Sequence, residues 1–154
     1  MTDTIAARLS ARGITLPEAA PPAANYVPYV ISGSLLHISG QLPLEGGKLA
    51  VLGRLGKEVD IPAGQHAAEL CAINILAQAK AALGDLERIG RLVKINGFVA
   101  SAPDFISQHL VVNGASNLFA EVLGERGKHA RIAVGMAVLP LNAAVEIDAT
   151  IEIA

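Results

Sequence analysis

From Pro62 to Leu83 the chain runs for about six helical turns and closes on Gly84, where a glycine suits the residue after a helix end. The face of this stretch that follows the helical period is Ala67, Leu70, Cys71, Asn74, Ala77 and Ala81, mostly small side chains. A helix with such a face can lie close against a sheet, and the rest of the chain supplies strands for one. Val27 to Ile31 and Leu35 to Gln41 flank Ser32-Gly33-Ser34, a hairpin pattern. Ile89 to Ser101 alternates as a strand, as do Ile132 to Leu139 and Val145 to Ile153. Ser101-Ala102-Pro103-Asp104 reads as a capping box opening a second helix that ends near Leu123, before Gly124. Residues 42–61 read as a glycine-rich loop. The predicted order is β-β-α-β-α-β-β, an α+β fold with two main helices on one face of a mixed sheet. Residues 1–154 read as one domain. Its first 24 residues form a short helix over Thr4 to Arg12 and an extended proline-rich arm.

Composition narrows the function. Hydrophobic residues make up 52% of the 154, but aromatics only 3%, with no tryptophan, so the core must be aliphatic. Charged residues are 17%, low for a fully solvated surface, which implies that further copies of the chain cover part of it. The net charge is −2, and the lysines and arginines are scattered. Nucleic-acid binding wants clustered cations and stacking aromatics, so no nucleic-acid partner is expected. The single cysteine, Cys71, excludes an internal disulfide and is expected to act as a small buried apolar residue. His37 is expected in the core or an interface, and His129 in a surface loop. With His66 and His109 they show no metal-ligand spacing, and Gly53 to Gly56 lacks a phosphate-loop pattern. No metal or cofactor is expected. No apolar run is long enough to span a membrane, and the N-terminus does not read as a signal peptide. A reducing, cytoplasmic setting fits best.

The last two strands draw the chemistry together. If Leu139 pairs with Ala144 across Pro140 to Ala143, then Ile132, Val134, Met136 and Val138 share an apolar face with Val145, Ile147, Ala149 and Ile151. The opposite face carries Arg131, Ala133, Gly135 and Ala137 beside Glu146, Asp148, Thr150 and Glu152. On pattern alone Arg131 has two readings: a cross-strand ion pair with Glu152, or a planar clamp that grips a ligand carboxylate through two parallel hydrogen bonds. This register sets Glu146 six positions from Arg131, ~20 Å along the strands. One small substrate could then meet both only if they came from different subunits.

Three spaced motifs add a resemblance. Ser39-Gly40-Gln41-Leu42-Pro43, His129-Ala130-Arg131-Ile132-Ala133-Val134, and Leu139-Pro140 followed by Val145-Glu146-Ile147 resemble the signature of the RidA/YjgF family. The likeness runs from about Asn25 to the end. The longer N-terminal arm and Asn113-Gly114-Ala115-Ser116 mark a divergent subgroup. The resemblance implies a chorismate-mutase-like fold, a homotrimer with sites between subunits, and cofactor-free hydrolysis of 2-imino or enamine acids to 2-keto acids and ammonia. It assigns the substrate carboxylate to Arg131, water activation to Glu146, a site tyrosine to Tyr26, and pocket positions to Ser39, Gly40, Asn113 and Ala133. Ala133 stands where deaminase members often carry cysteine, and His129 replaces the usual proline. The competing reading is a non-catalytic sensor or carrier that uses Arg131 to bind a small carboxylate.

Overall fold

The computed structural model describes residues 3–154; the sequence readings that begin at residue 1 extend beyond them by two residues. The elements in order are α1 (Ile5–Ala11), β1 (Tyr29–Ser32), β2 (Leu35–Gln41), β3 (Leu44–Glu45), β4 (Lys48–Leu49), α2 (Ile61–Leu83), β5 (Ile89–Ala100), α3 (Gln108–Leu123), β6 (Ala130–Met136) and β7 (Val145–Ile153). Five strands form one mixed sheet in the order β1-β2-β7-β5-β6. Every neighbouring pair is antiparallel except β5 and β6, which run parallel. Strands β3 and β4 form a separate two-stranded ribbon around Gly46-Gly47, within the stretch read as a loop.

Helix α2 starts where Asp60 accepts a hydrogen bond from the Ala63 N–H at 2.9 Å, with a proline in its first turn. Its alanines let it bury most of its circumference, and Cys71 is fully enclosed with its Sγ 3.7 Å from the Val145 carbonyl. Of the face read from the sequence only Ala81 is exposed. Helix α3 crosses α2 at Gly114, where a Cβ would run into the Gln65 backbone carbonyl, so only glycine permits this approach. Both helices cover one face of the sheet. The core between them is aliphatic around Leu36, Ile38, Ile75, Leu76, Ile95, Val99, Ile147 and Ile151, with Phe119 its one fully buried aromatic among the described residues. Helix α1 is tied down from outside: Arg12 pairs with Glu69 of α2 and Glu121 of α3, and the Ile5 N–H donates to Glu87 at 2.7 Å.

Two expectations fail here. The capping box at Ser101 does not open a helix. Ser101 donates to the Val99 carbonyl at 2.7 Å, and α3 begins only at Gln108. The last two strands are not a hairpin either. Strand β6 follows the crossover helix α3 and so lies parallel to β5 at the sheet edge, while β7 inserts between β2 and β5. The predicted register, the Arg131–Glu152 pairing and the shared face of Arg131 and Glu146 are all replaced. Arg131 is opposite Ile95 and Ala133 is opposite Gly97, which places both on the helix-covered face. Ile132 and Val134 point the other way and stay 44% and 36% exposed. They share the uncovered face with Glu146, Asp148 and Thr150 of β7 and with His37 of β2, which is exposed rather than core.

Candidate functional site

The residues singled out in the sequence fall into two groups on the molecule. The first lies where β2 ends beside β7. Here the pairing slips between Ile38 and Gln41, which frees Ser39 and Gly40 from regular ladder positions. Tyr26, Ser39, Gly40 and Glu146 line one cavity of about 720 Å³, walled by the arm residues Ala20 to Ala24 and by Leu141. Gly40 is required by Glu146: a Cβ at position 40 would fall on the Glu146 carboxylate, with that side chain's Cδ and Cγ at 3.0 and 3.1 Å. Ser39 holds the incoming strand, its hydroxyl donating to the Val27 carbonyl at 2.8 Å. Tyr26 is 47% exposed at the mouth. Leu141 adopts φ 59°, a left-handed conformation unusual for leucine, and keeps its side chain out over the cavity. Burial raises the pKa of the Glu146 carboxyl above its ordinary value, and the neighbouring charge of Asp148 raises it further. The group is therefore placed to accept and return a proton closer to neutrality than a solvated glutamate.

The second group lies on the helix-covered side of the edge strand. The Arg131 guanidinium donates from Nη1 to the Ser116 hydroxyl at 3.0 Å and from Nη2 to the His109 carbonyl at 2.9 Å. Both acceptors are neutral, and no ion pair among the described residues includes Arg131. Burial lowers its pKa from the ordinary arginine value, and it stays charged at neutral pH. Asn113 lies one turn from both His109 and Ser116 on α3, and Ala133 packs against the core two residues beyond Arg131. Sequence reasoning missed Ser116. His129 lies in the loop before β6, as expected, but is half-buried rather than at the surface, with Nε2 2.9 Å from the Ser116 Oγ and its ring in a T-shaped arrangement with Phe119. The hints were two departures from the family pattern, residues 113–116 and the histidine that replaces a proline at position 129.

Within one chain the two groups do not meet. Arg131 is level with Ile95 and Glu146 with Phe98, three residues along β5, or roughly 10 Å. Two inter-strand gaps add about another 10 Å, and the side chains leave opposite faces of the sheet. The ~20 Å spacing expected from the hairpin shortens to about 14 Å between backbones, but the sheet itself now stands between the two side chains.

A family model described as "YjgF/chorismate mutase-like, putative endoribonuclease" matches residues 6–152. The chain belongs to this family. A crystal structure of a protein of unknown function from Agrobacterium tumefaciens is 64% identical, with a TM-score of 0.93 over 99% of this chain and 94% of that one. Protein TCP17 of Trypanosoma cruzi is 52% identical over 150 residues, which is 97% of this chain and 94% of the relative. RidA from an Antarctic Psychrobacter is more distant, at 29% identity and a TM-score of 0.61 over 87% of this chain and 94% of that one. These likenesses agree with the mixed sheet and one-sided helices of the family fold. Among the described residues no cluster of three or more His, Cys, Asp or Glu is arranged to hold a metal, and no helix is long and apolar enough to cross a membrane.

Proposed function

We propose that the chain hydrolyses 2-imino acids, and their enamine tautomers, to 2-keto acids and ammonia at a site completed between copies of itself. The observation that carries this is the half-buried Arg131, a cation with two neutral acceptors and no carboxylate partner. A guanidinium held in that state is an open receptor for a ligand carboxylate. Its complement, Glu146, lies on the other face in a cavity that lacks a cation among its lining residues. The half-exposed Ile132 and Val134 on the uncovered face give a second copy an apolar surface on which to seat. A homotrimer in the cytoplasm is the assembly and setting we propose.

In the reaction, Arg131 of one copy fixes the substrate carboxylate, and the adjacent iminium carbon is already electrophilic. Glu146 of the neighbouring copy takes a proton from water as the oxygen bonds to that carbon. Glu146 returns that proton to the carbinolamine nitrogen and then takes the hydroxyl proton as the C–N bond breaks, so ammonia leaves and the 2-keto acid remains. Tyr26, Ser39 and Gly40 shape the Glu146 side; Asn113 and Ala133 shape the Arg131 side. The scattered charge of the chain, −2 overall, supports a small-molecule substrate over an RNA.

A mixing experiment tests this reading. Arg131→Ala and Glu146→Gln should each abolish release of 2-oxobutanoate from 2-iminobutanoate. When equal amounts are unfolded together and refolded, about a quarter of the sites in a cyclic assembly should pair an intact Arg131 with an intact Glu146. Recovery of about a quarter of wild-type turnover is expected. No recovery, with each variant folded and assembled, would refute the shared site. Tight carboxylate binding without turnover by the wild type would favour a sensor or carrier instead.

A further inference from the structure

We infer that Ser116 and His129 are positioning residues of the carboxylate site, fixing the direction in which Arg131 presents its guanidinium. This rests on the reading of Arg131 as the carboxylate receptor and adds the device that aims it.

The device is a directed chain of hydrogen bonds. The Gly127 carbonyl lies 2.6 Å from His129 Nδ1 and can only accept, so Nδ1 carries a hydrogen. In the neutral ring Nε2 is then an acceptor, and the Ser116 hydroxyl donates to it at 2.9 Å. With its own hydrogen committed, Ser116 Oγ faces Arg131 as an acceptor and receives Nη1 at 3.0 Å. The polarity of each bond is thus set by the one before it, starting from a backbone carbonyl. That carbonyl is itself fixed: Gly127 is buried, and a Cβ there would strike the Phe119 carbonyl. The His129 ring stands edge-on to the Phe119 ring, with centroids 6.1 Å apart. The chain therefore begins on a buried backbone carbonyl and ends on the half-buried cation of the edge strand.

The consequence is pre-organisation. A free arginine side chain samples many rotamers, and a ligand that binds it must freeze them. Ser116 and the His109 carbonyl occupy two of the five N–H groups and leave three for a ligand. Because both acceptors are neutral, the guanidinium is aimed without being neutralised. A carboxylate in place of Ser116 would aim it equally well and compete with the substrate.

Calorimetric titration of the full chain with 2-oxobutanoate tests the inference without depending on turnover. Arg131→Ala should lose binding. Ser116→Ala should weaken it about tenfold, the worth of one hydrogen bond to a charged group, and Ser116→Thr, which keeps the hydroxyl, should restore it to within about threefold. Nitrogen-15 spectra should show His129 with its hydrogen on Nδ1 in both the wild type and Ser116→Ala, because the Gly127 carbonyl sets it, and the Nε2 resonance displaced in Ser116→Ala, where it loses the Ser116 hydrogen bond. Melting curves confirm that each variant folds. Wild-type affinity in Ser116→Ala, alongside loss in Arg131→Ala, would overturn the positioning role and leave the receptor standing. Wild-type affinity in both would overturn the receptor itself. Failure of threonine to rescue, or an unchanged His129 spectrum in Ser116→Ala, would reduce Ser116 to packing and overturn the inference.

Discussion

Replacing Gly40 with alanine isolates the Glu146 site with little risk to the fold. The three atoms nearest an added Cβ all belong to the Glu146 side chain, and Gly40 does not occupy the left-handed backbone region. Alanine therefore brings no backbone strain, and the clash falls on a side chain that can turn aside. Moving Glu146 off its rotamer costs about 0.5–1.5 kcal/mol. For a chain of this length that lowers the melting temperature by about 1–6 °C. Turnover should suffer far more, because displacing a reacting group by ~1 Å costs ~100-fold. Thermal melting and 2-iminobutanoate hydrolysis read the two effects separately. Near-wild-type turnover in Gly40→Ala would show that the position of Glu146 does not matter to the reaction. A collapse of stability well beyond the expected range would show that Gly40 serves the backbone instead.

Other perturbations have equally definite outcomes. The Glu146 carboxyl holds its proton more tightly in the folded chain than in the unfolded one, through burial first and Asp148 second. Stability from this group is complete below its unfolded pKa of about 4.5 and is lost as pH rises through the higher folded value. Glu146→Gln cannot ionise, so its melting temperature should gain on the wild type as pH rises above about 4.5, the ordinary value from which the folded group is raised. The acidic limb of wild-type turnover should likewise lie above the range of an ordinary carboxylate. Gly114→Ala drives a methyl into the Gln65 carbonyl and must part α2 from α3, at about 1–3 kcal/mol by chemical denaturation. An unaltered midpoint would mean that the helix crossing tolerates separation.

What could be read in advance depended on how local its cause was. Helix α2 carries its own cap at Asp60, its own stop at Gly84 and an unbroken small-residue face, so its span agrees with the expectation to within a residue. Strand β7 alternates large apolar and polar residues so regularly that its faces follow from the sequence. Strand β6 does not. Ala130-Arg131-Ile132-Ala133-Val134-Gly135-Met136 is apolar in both alternations, and size points Ile132 and Val134 inward. The chain does the reverse because α3 lies close over the sheet here. Val112 fills the space that a side chain at Gly97 would need, and Gln108 and Ser101 do the same at Gly135. Only small residues, and an arginine reaching out to α3, fit that side. Which strand β6 joins is decided by the crossover through α3, a non-local fact. The motif residues were legible singly, while their division between two faces, and the bonds among His129, Ser116 and Arg131, appear only once the helix is in place.

Cys71 offers one more use of the molecule. It is the single thiol of the chain, wholly enclosed between α2 and β7, and burial holds its pKa well above the ordinary value. A labelling reagent reacts with the thiolate, so it meets nothing while the core is shut. Each modification event then marks an opening that parts α2 from the sheet. The chain carries a built-in stopwatch for breathing of its core, one reading per molecule, with no tag added.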